Sequence, residues 1–366
     1  MKRENKTARR AITAMILAGM AAAALSGCGC SRGEQETSAS YTEDPEDIDI
    51  PDGQGLETDY TTVEGLTAER GAYIAMVLKD LGNPYWKAVK EGAEKAVDDL
   101  NNLLGYTGDD KVRLTVDGVN GSEEENVDSQ IDTIDAVLAE NPSALCISVI
   151  DRESCTAQIE AAAESEIPVI ILDSGLENGN VAAVCMTDNE KAAAEAADNL
   201  CKKIGERGQV AVFAHEATSQ TSRERVNGFC KRVQTEYPQV EIVKVEYEED
   251  QELPVEEILE RYPELQGIFC TSATVVEKVL KQVGEAAGDE IQVAGFDANE
   301  EQLEAIREGR LLGTVCQNPR GMGYVSVVAA IRSINGQPAD QRIDTGYVWL
   351  DQSNYGEEEN QKYLYD

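Results

Sequence analysis

The stretch YIAMVLKDLGNPYWKAVKEG, Tyr73–Gly92, sets the frame for the rest of the chain. Tyr73 to Leu78 is an unbroken apolar run of the length of a buried strand. Pro84 suits the first position of a helix, where no backbone N–H is needed. Beyond it Trp86, Val89, Ala93, Ala96, Val97 and Leu100 recur at helical spacing and form one stripe. Tyr85 and Trp86 therefore fall in a first helical turn, just past a strand end. In a chain with two tryptophans and four phenylalanines, that pair needs a reason. Trp86 is either the first knob of a core face or part of a wall that meets something else. Tyr85 lies off the centre of the stripe and is harder to explain as core.

The alternation continues outward. Apolar runs near Ile74, Leu114, Leu145, Ile170, Ala183, Val212, Ile242, Phe269, Val293, Thr314 and Ile343 predict strands, and amphipathic segments between them predict helices. Repeated βα units of this kind build parallel sheets, so the fold class is α/β. With 366 residues there is room for two domains, and the pattern runs long enough for two similar halves. Hydrophobic residues make up 42% but aromatics only 5%, so the cores are aliphatic and alanine-rich.

The first residues read separately. Lys2, Arg3, Lys6, Arg9 and Arg10 precede an apolar run from Ala11 to Leu25. That run is shorter than the roughly 20 residues a bilayer span needs, and it fits the hydrophobic region of an export signal over residues 1–27. The run ends in Leu25-Ser26-Gly27-Cys28, which resembles the lipobox of bacterial lipoproteins and makes Cys28 the expected site of lipidation. Lipid there would hold the protein on the outer face of the cell membrane without spanning it. Residues 28–68 are acidic, with eleven acids against one base (Arg32) between Cys30 and Thr67, and read as a disordered tether.

Removing residues 1–27 takes away five basic side chains and one acidic one and carries the formal charge from −37 to −41. Such a balance excludes nucleic acid as a partner, because phosphate binding needs basic patches. Seven cysteines beyond Cys28 and Cys30 are scattered without a C-x-x-C pair, and read as small buried hydrophobes. His215 is the one histidine, so neither a histidine-based metal site nor histidine-dependent catalysis is expected; His215 itself follows a strand, where it could edge a cleft, and reads in preference as a solvated loop residue. No cofactor or metal is expected.

Open parallel sheets bind ligands outside the carboxyl ends of their strands. At those positions stand Asn83, Tyr85 and Trp86, then Asp173, Ser272, Asp297 and Gln317, with Arg225 in the first half of the helix after VAVFA. Carboxylates accept from adjacent hydroxyls, arginine and amides bond in fixed planes, and rings cover apolar C–H faces, so the set suits a sugar. Each residue also has a plainer role: Asp173 and Asp297 as helix caps, Arg225 as a surface partner of Glu224 or Glu216.

The segments IAMVLKDLGNPYW, PVIILDS, TSRERVNGF, YPELQGIFCTS, VAGFDAN, GTVCQNP, RIDTGYVWL and ENQKYLYD, in this order, resemble the ribose-type sugar-binding proteins of bacterial ABC transporters. The resemblance covers about residue 72 to the C-terminus. It implies two doubly wound parallel-sheet lobes, joined by a three-strand hinge with crossings near Thr187, Gln317 and Gly346, as in type I periplasmic binding proteins. The lobes would comprise residues 69–187 plus 318–346 and residues 188–317 plus 347–366. It also implies that Asn83, Tyr85, Trp86, Asp173, Arg225, Asp297 and Gln317 contact the ligand, with Tyr247 as a further ring. Ser272 stands where the family has asparagine, Ser174 where it has a second arginine and Lys79 where it has serine, so a pentose, hexose, polyol or acidic sugar is expected rather than ribose specifically.

The resulting expectation is a monomeric, non-enzymatic lipoprotein that captures a monosaccharide or polyol between its lobes and delivers it to an ABC transporter permease. Input to a sensor kinase or chemoreceptor, or a non-sugar solute, is the alternative. A transcription repressor of this fold would need a DNA-binding head, which the acidic residues 31–67 do not provide. A glycosidase using Asp173 and Asp297 is the enzymatic rival, and no feature of the sequence raises the pKa of either.

Overall fold

The computed structural model describes residues 58–365 except 120–126, 152–153, 176–179, 249–251, 285–288 and 338. The export segment, Cys28 and residues 28–57 of the tether lie outside the described residues.

The chain lays down β1 (Tyr73–Leu78), α1 (Pro84–Leu104), β2 (Arg113–Gly118), α2 (Val127–Ala139), β3 (Ala144–Ile147), α3 (Thr156–Glu164), β4 (Val169–Leu172) and β5 (Ala183–Met186) in a first lobe. It then crosses and forms α4 (Asn189–Lys203), β6 (Gly208–Ala214), α5 (Gln220–Glu236), β7 (Val240–Tyr247), α6 (Val255–Arg261), β8 (Leu265–Cys270), α7 (Ala273–Val283), β9 (Gln292–Phe296), α8 (Glu300–Arg307) and β10 (Gly313–Gln317) in a second. It returns through α9 (Pro319–Ile334) and β11 (Arg342–Asp344) to the first lobe and crosses once more to β12 (Tyr347–Asp351).

The two six-stranded sheets run β11-β5-β4-β3-β1-β2 and β12-β10-β9-β8-β6-β7. Each sheet therefore uses its strands in the same order, which makes the lobes topological copies. Every pairing is parallel except β10 with β12. Their central strands, such as β1, β3 and β4, are buried along their whole length, as expected when helices cover both faces of a sheet.

All eleven predicted strand centres fall inside strands. The segment RIDTGYVWL holds a second strand beyond the one read near Ile343: β11 pairs with β5 and β12 with β10, in different sheets. Gly346, at φ 75°, takes the left-handed conformation that lets the chain turn between them. Side chains pin the crossings to one another. Asp344 Oδ1 accepts from the N–H of Asp188 (3.3 Å) and of Gly346 (2.9 Å), and Asn318 Nδ2 donates to the Thr345 carbonyl (3.3 Å).

α1 and α9 touch backbone to backbone. A Cβ on Gly92 would lie 1.9 Å from the Arg320 carbonyl oxygen, and one on Gly323 1.9 Å from that of Val89. In the second lobe a Cβ on Gly228 would lie 2.2 Å from the Glu190 carbonyl oxygen, at the α4–α5 contact.

The tether ends earlier than its composition indicates. Tyr60, Val63 and Leu66 are buried in the first lobe's core, the Tyr60 hydroxyl accepts from the Asp340 N–H (2.6 Å), and Asn335 Nδ2 donates to the Thr67 carbonyl (2.5 Å). Three apolar side chains dock this segment despite its acidic neighbours. All seven cysteines of the described residues are buried thiols, which agrees with their reading as small hydrophobes. Burial raises the Cys185 thiol to about 12, so it stays protonated and unreactive.

Candidate functional site

The sequence sets each site residue at the end of a strand, and the sheets bring those ends together. α1 begins with Asn83 as N-cap, its Oδ1 accepting from the Tyr85 N–H at 2.9 Å, followed by Pro84. This start aims the Tyr85 side chain inward. The Tyr85 hydroxyl donates to Asp173 Oδ1 (3.0 Å) and also lies 3.5 Å from Gln317 Oε1 and 3.6 Å from Met322 Sδ. Gln317 Nε2 in turn donates to Asp297 Oδ1 (2.7 Å). A run of polar contacts thus links the carboxylate after β4 in the first lobe, through Tyr85 of α1 and Gln317 at the end of β10, to the carboxylate after β9 in the second.

Asp173 and Asp297 both hold positive φ, 60° and 75°. Aspartate tolerates this region better than most residues, and strained backbone of this kind collects at functional sites. Lys79 Nζ stands 4.0 Å from Asp173 Oδ2, with both side chains buried. Asp297 Oδ2 accepts from the Ala273 N–H at 3.2 Å. Burial raises the Asp297 carboxyl above its ordinary value, and the charge of Asp173 adds to this, while Arg225, Gln317 and Ala273 oppose it. Burial, then the charges of Asp173 and Asp297, also push the Tyr85 phenol well up, so it serves as a neutral donor.

Arg225 is 3% exposed. Its Nε donates to Asn189 Oδ1 and its Nη1 to the Thr271 carbonyl, each at 2.9 Å, and its guanidinium lies 3.8 Å from the centre of the Phe296 ring. Glu224, the surface partner considered above, is instead engaged by Asn189 and Gln220. Arg225 is therefore fixed as a flat donor near Asp297, and among the described residues two of its five N–H groups are engaged. The lobes meet directly at a further point, where the Gly175 N–H donates to Gln220 Oε1 (3.0 Å).

The structure brings Tyr85, Asp173, Arg225, Asp297, Gln317 and Lys79 together. Ser174 is buried beside Asp173. Trp86 sits against Tyr85 edge to face, 4.9 Å between ring centres, and is buried in the first lobe's core. Asn83 and Ser272 each spend their side-chain oxygen as helix caps, Ser272 accepting from the Val275 N–H at 3.4 Å. Tyr247 closes β7, half-buried against the second lobe's core, and no hydrogen bond among the described residues ties it to the cluster. Two residues were not singled out from sequence. Tyr365 meets Tyr85 edge to face at 5.6 Å, and its hydroxyl accepts from the Ala298 N–H (3.3 Å). Asn189 orients Arg225. Only the family resemblance of the tail ENQKYLYD, with its two tyrosines, gave a signal for the first, and nothing gave one for the second.

His215 corrects its sequence reading. It follows β6 in a loop, as expected, but is half-buried and tied down rather than solvated: its Nδ1 lies 2.8 Å from Thr271 Oγ1 and its Nε2 3.3 Å from Thr221 Oγ1. The hydroxyls that enclose it come from two other elements, which a single sequence does not place beside it. Among the described residues no group of three or more metal-ligating side chains exists, and no helix is long and apolar enough to cross a membrane.

Two copies of one parallel α/β lobe, three crossings and buried polar side chains between the lobes define the type I periplasmic binding protein architecture. Residues 74–338 match the family model described as periplasmic binding protein domain, and the chain belongs to that family. It is 25% identical over 271 residues to the ribose import binding protein of Bacillus subtilis, covering 74% of this chain and 84% of that one. It is also 25% identical over 279 residues to the D-allose-binding periplasmic protein of Escherichia coli, covering 72% and 86%. Among solved structures, a carbohydrate transporter solute binding protein from Agrobacterium radiobacter, in complex with D-arabinose, matches with a TM-score of 0.70 at 25% identity, covering 80% of this chain and 98% of that one.

Proposed function

We propose that the protein captures a monosaccharide or related polyol between its lobes and hands it to the permease of an ABC transporter. The observation that carries this reading is the meeting of Asp173, Tyr85, Gln317, Asp297 and Arg225, contributed by both lobes, in one buried polar cluster. Two carboxylates, a flat guanidinium and an amide accept and donate in the fixed directions that neighbouring sugar hydroxyls require, while Tyr85 and Trp86 supply a ring wall. Asn83, Ser272 and Tyr247 complete the rim. Contacts made by one ligand to both lobes favour the closed form by their differential affinity, which gives a permease a state to read. The relatives named for ribose, D-allose and bound D-arabinose support the solute class.

The division into residues 69–187 plus 318–346 and 188–317 plus 347–366 belongs to this proposal, as does the absence of enzymatic turnover. The same holds for the monomeric state, export directed by residues 1–27 and lipid attachment at Cys28. Thermal shift and calorimetry of the full chain against monosaccharides, polyols, nucleosides and amino acids test the solute. A true ligand at a hundredfold excess over Kd stabilises by about 2.7 kcal/mol, and a response confined to nucleosides or amino acids overturns the sugar reading. Radiolabelled fatty acid incorporated by cells expressing the chain, and lost with Cys28→Ala, tests the anchor.

A further inference from the structure

His215, the single histidine of the chain, is locked at four points. Besides its two ring contacts, its backbone N–H donates to Thr271 Oγ1 (3.1 Å) and its carbonyl accepts from Ser222 Oγ (2.7 Å). Its partners bear on Arg225. The Thr271 carbonyl accepts from Arg225 Nη1, and Thr221 and Ser222 lie in the turn of α5 that leads to Arg225. The imidazole thus bolts the ends of β6 and β8 to the start of α5, at the place where the arginine is aimed.

Hydrogen-bond satisfaction selects the tautomer. Thr271 Oγ1 can accept from the His215 backbone N–H with one lone pair and from a ring N–H with the other, but Nδ1 is the acceptor within reach of its own proton. Placing the ring proton on Nε2, facing Thr221, therefore satisfies both hydroxyls, whereas a second ring proton leaves the Thr271 hydroxyl without that acceptor. The neighbours contributed by β8 and α5, Thr271, Thr221 and Ser222, carry no charge. The charges that bear on the ring are Arg225 from α5 and Lys79 from the end of β1 in the opposite lobe. Asp173 lies beyond Lys79, Asp297 acts on the far side through Arg225, and Glu216 follows along the chain. Burial and the two cations hold the imidazole well below its ordinary range.

We propose that His215 is a positioning residue that sets Arg225 for solute capture, and that a proton on its ring opposes lobe closure and releases the solute. This rests on the reading of the cleft as a solute site. Closure carries Lys79 toward the His215–Arg225 pair, and a third positive charge where the lobes meet weighs against the closed state.

Nuclear magnetic resonance of the full, untagged chain with 15N-labelled histidine and arginine reads the proposal directly, because one ring gives one set of signals. Without any ligand, the ring is expected as the Nε2–H tautomer. The Arg225 Nε–H resonance is expected to move in His215→Ala and to return toward its original position in His215→Asn, whose Oδ1 can accept from Thr271 without ever becoming charged. An Nδ1–H tautomer, or an Arg225 signal indifferent to both variants, overturns the positioning role. With the monosaccharide of largest thermal shift, saturation is expected to lower the pH at which the ring protonates. Affinity should then fall roughly tenfold one pH unit below the free protein's midpoint. His215→Asn should recover most of the affinity that His215→Ala loses and show no acid-side fall. Equal midpoints with and without solute, or an acid-side fall that persists in His215→Asn, overturn the release role. If no monosaccharide binds, the sugar reading fails, while the ligand-free tautomer and Arg225 signals still decide the positioning role.

Discussion

Asp173 and Asp297 occupy the same place in the two lobes. Each follows the third strand of its sheet, each holds a left-handed backbone, and each donates its N–H to the next strand, to the Cys185 carbonyl at 3.0 Å and the Val315 carbonyl at 2.7 Å. A site that faces two ways is thus built from one structural device used twice. The surroundings differ: Asp173 receives Tyr85 and Lys79, Asp297 receives Gln317 and Ala273.

Asp297→Asn is expected to weaken sugar binding by about 2 kcal/mol, roughly thirtyfold, because a charged acceptor is lost. The same change should stabilise the ligand-free protein at neutral pH by about 1 kcal/mol. The sign follows from the raised carboxyl. The folded state holds that proton more tightly than the unfolded chain, so its contribution is full at low pH and lost as pH rises through the raised value. Denaturant melts of both proteins from pH 4 to 8 should diverge as pH rises, and parallel curves would refute the assignment.

Arg225→Lys keeps the charge and removes the geometry. It loses the bond to Asn189, the flat face over Phe296 and the fork that reaches the Thr271 carbonyl. Affinity is expected to drop roughly a hundredfold by calorimetry, with about 1 to 2 kcal/mol of stability lost because buried acceptors are left bare. Wild-type affinity in this variant would place Arg225 outside the site.

Gln220→Ala deletes the bond between the second lobe and Gly175 of the first. A neutral hydrogen bond contributes about 1 kcal/mol, which here favours closure rather than folding. Affinity should weaken about fivefold while the ligand-free melting temperature stays within a degree or two. Small-angle scattering should show a more open free protein, and unchanged affinity would argue against closure through this contact.

Gly92→Ala drives a methyl group into the Arg320 carbonyl, and Gly323→Ala one into that of Val89. The collision is with backbone, which cannot swing aside, so each variant should lose at least about 3 kcal/mol. Chemical denaturation measures this directly. Gly105→Ala is no control of space alone, since its φ of 68° strains any other residue.

Much of the fold was legible because its signals are local. An apolar run such as Val169–Leu172 has little freedom to be anything but a buried strand, and Pro84 marked the start of α1. The carboxylates were legible because the carboxyl ends of parallel strands are where ligands collect. What stayed hidden depends on partners far along the chain. Tyr60, Val63 and Leu66 look like part of an acidic tether until α9 and the first sheet offer a surface to cover. His215 reads as solvated until Thr271 and Thr221 arrive from other elements. Ser272 and Asn83 show the converse. Their capping roles are local, yet the sequence reading gave them ligand roles alone, and the caps are what the geometry displays.

The joining of α1 to α9 has a temporal side. Glu91 and Arg320, paired across that contact, are 229 positions apart, and all of β6 to β10 lies between them. A chain emerging in order from its N-terminus holds an unfinished first sheet, lacking β11 and with the Gly92 face of α1 uncovered, until β6 to β10 have followed it out. Completion of the earlier half therefore waits on the later one.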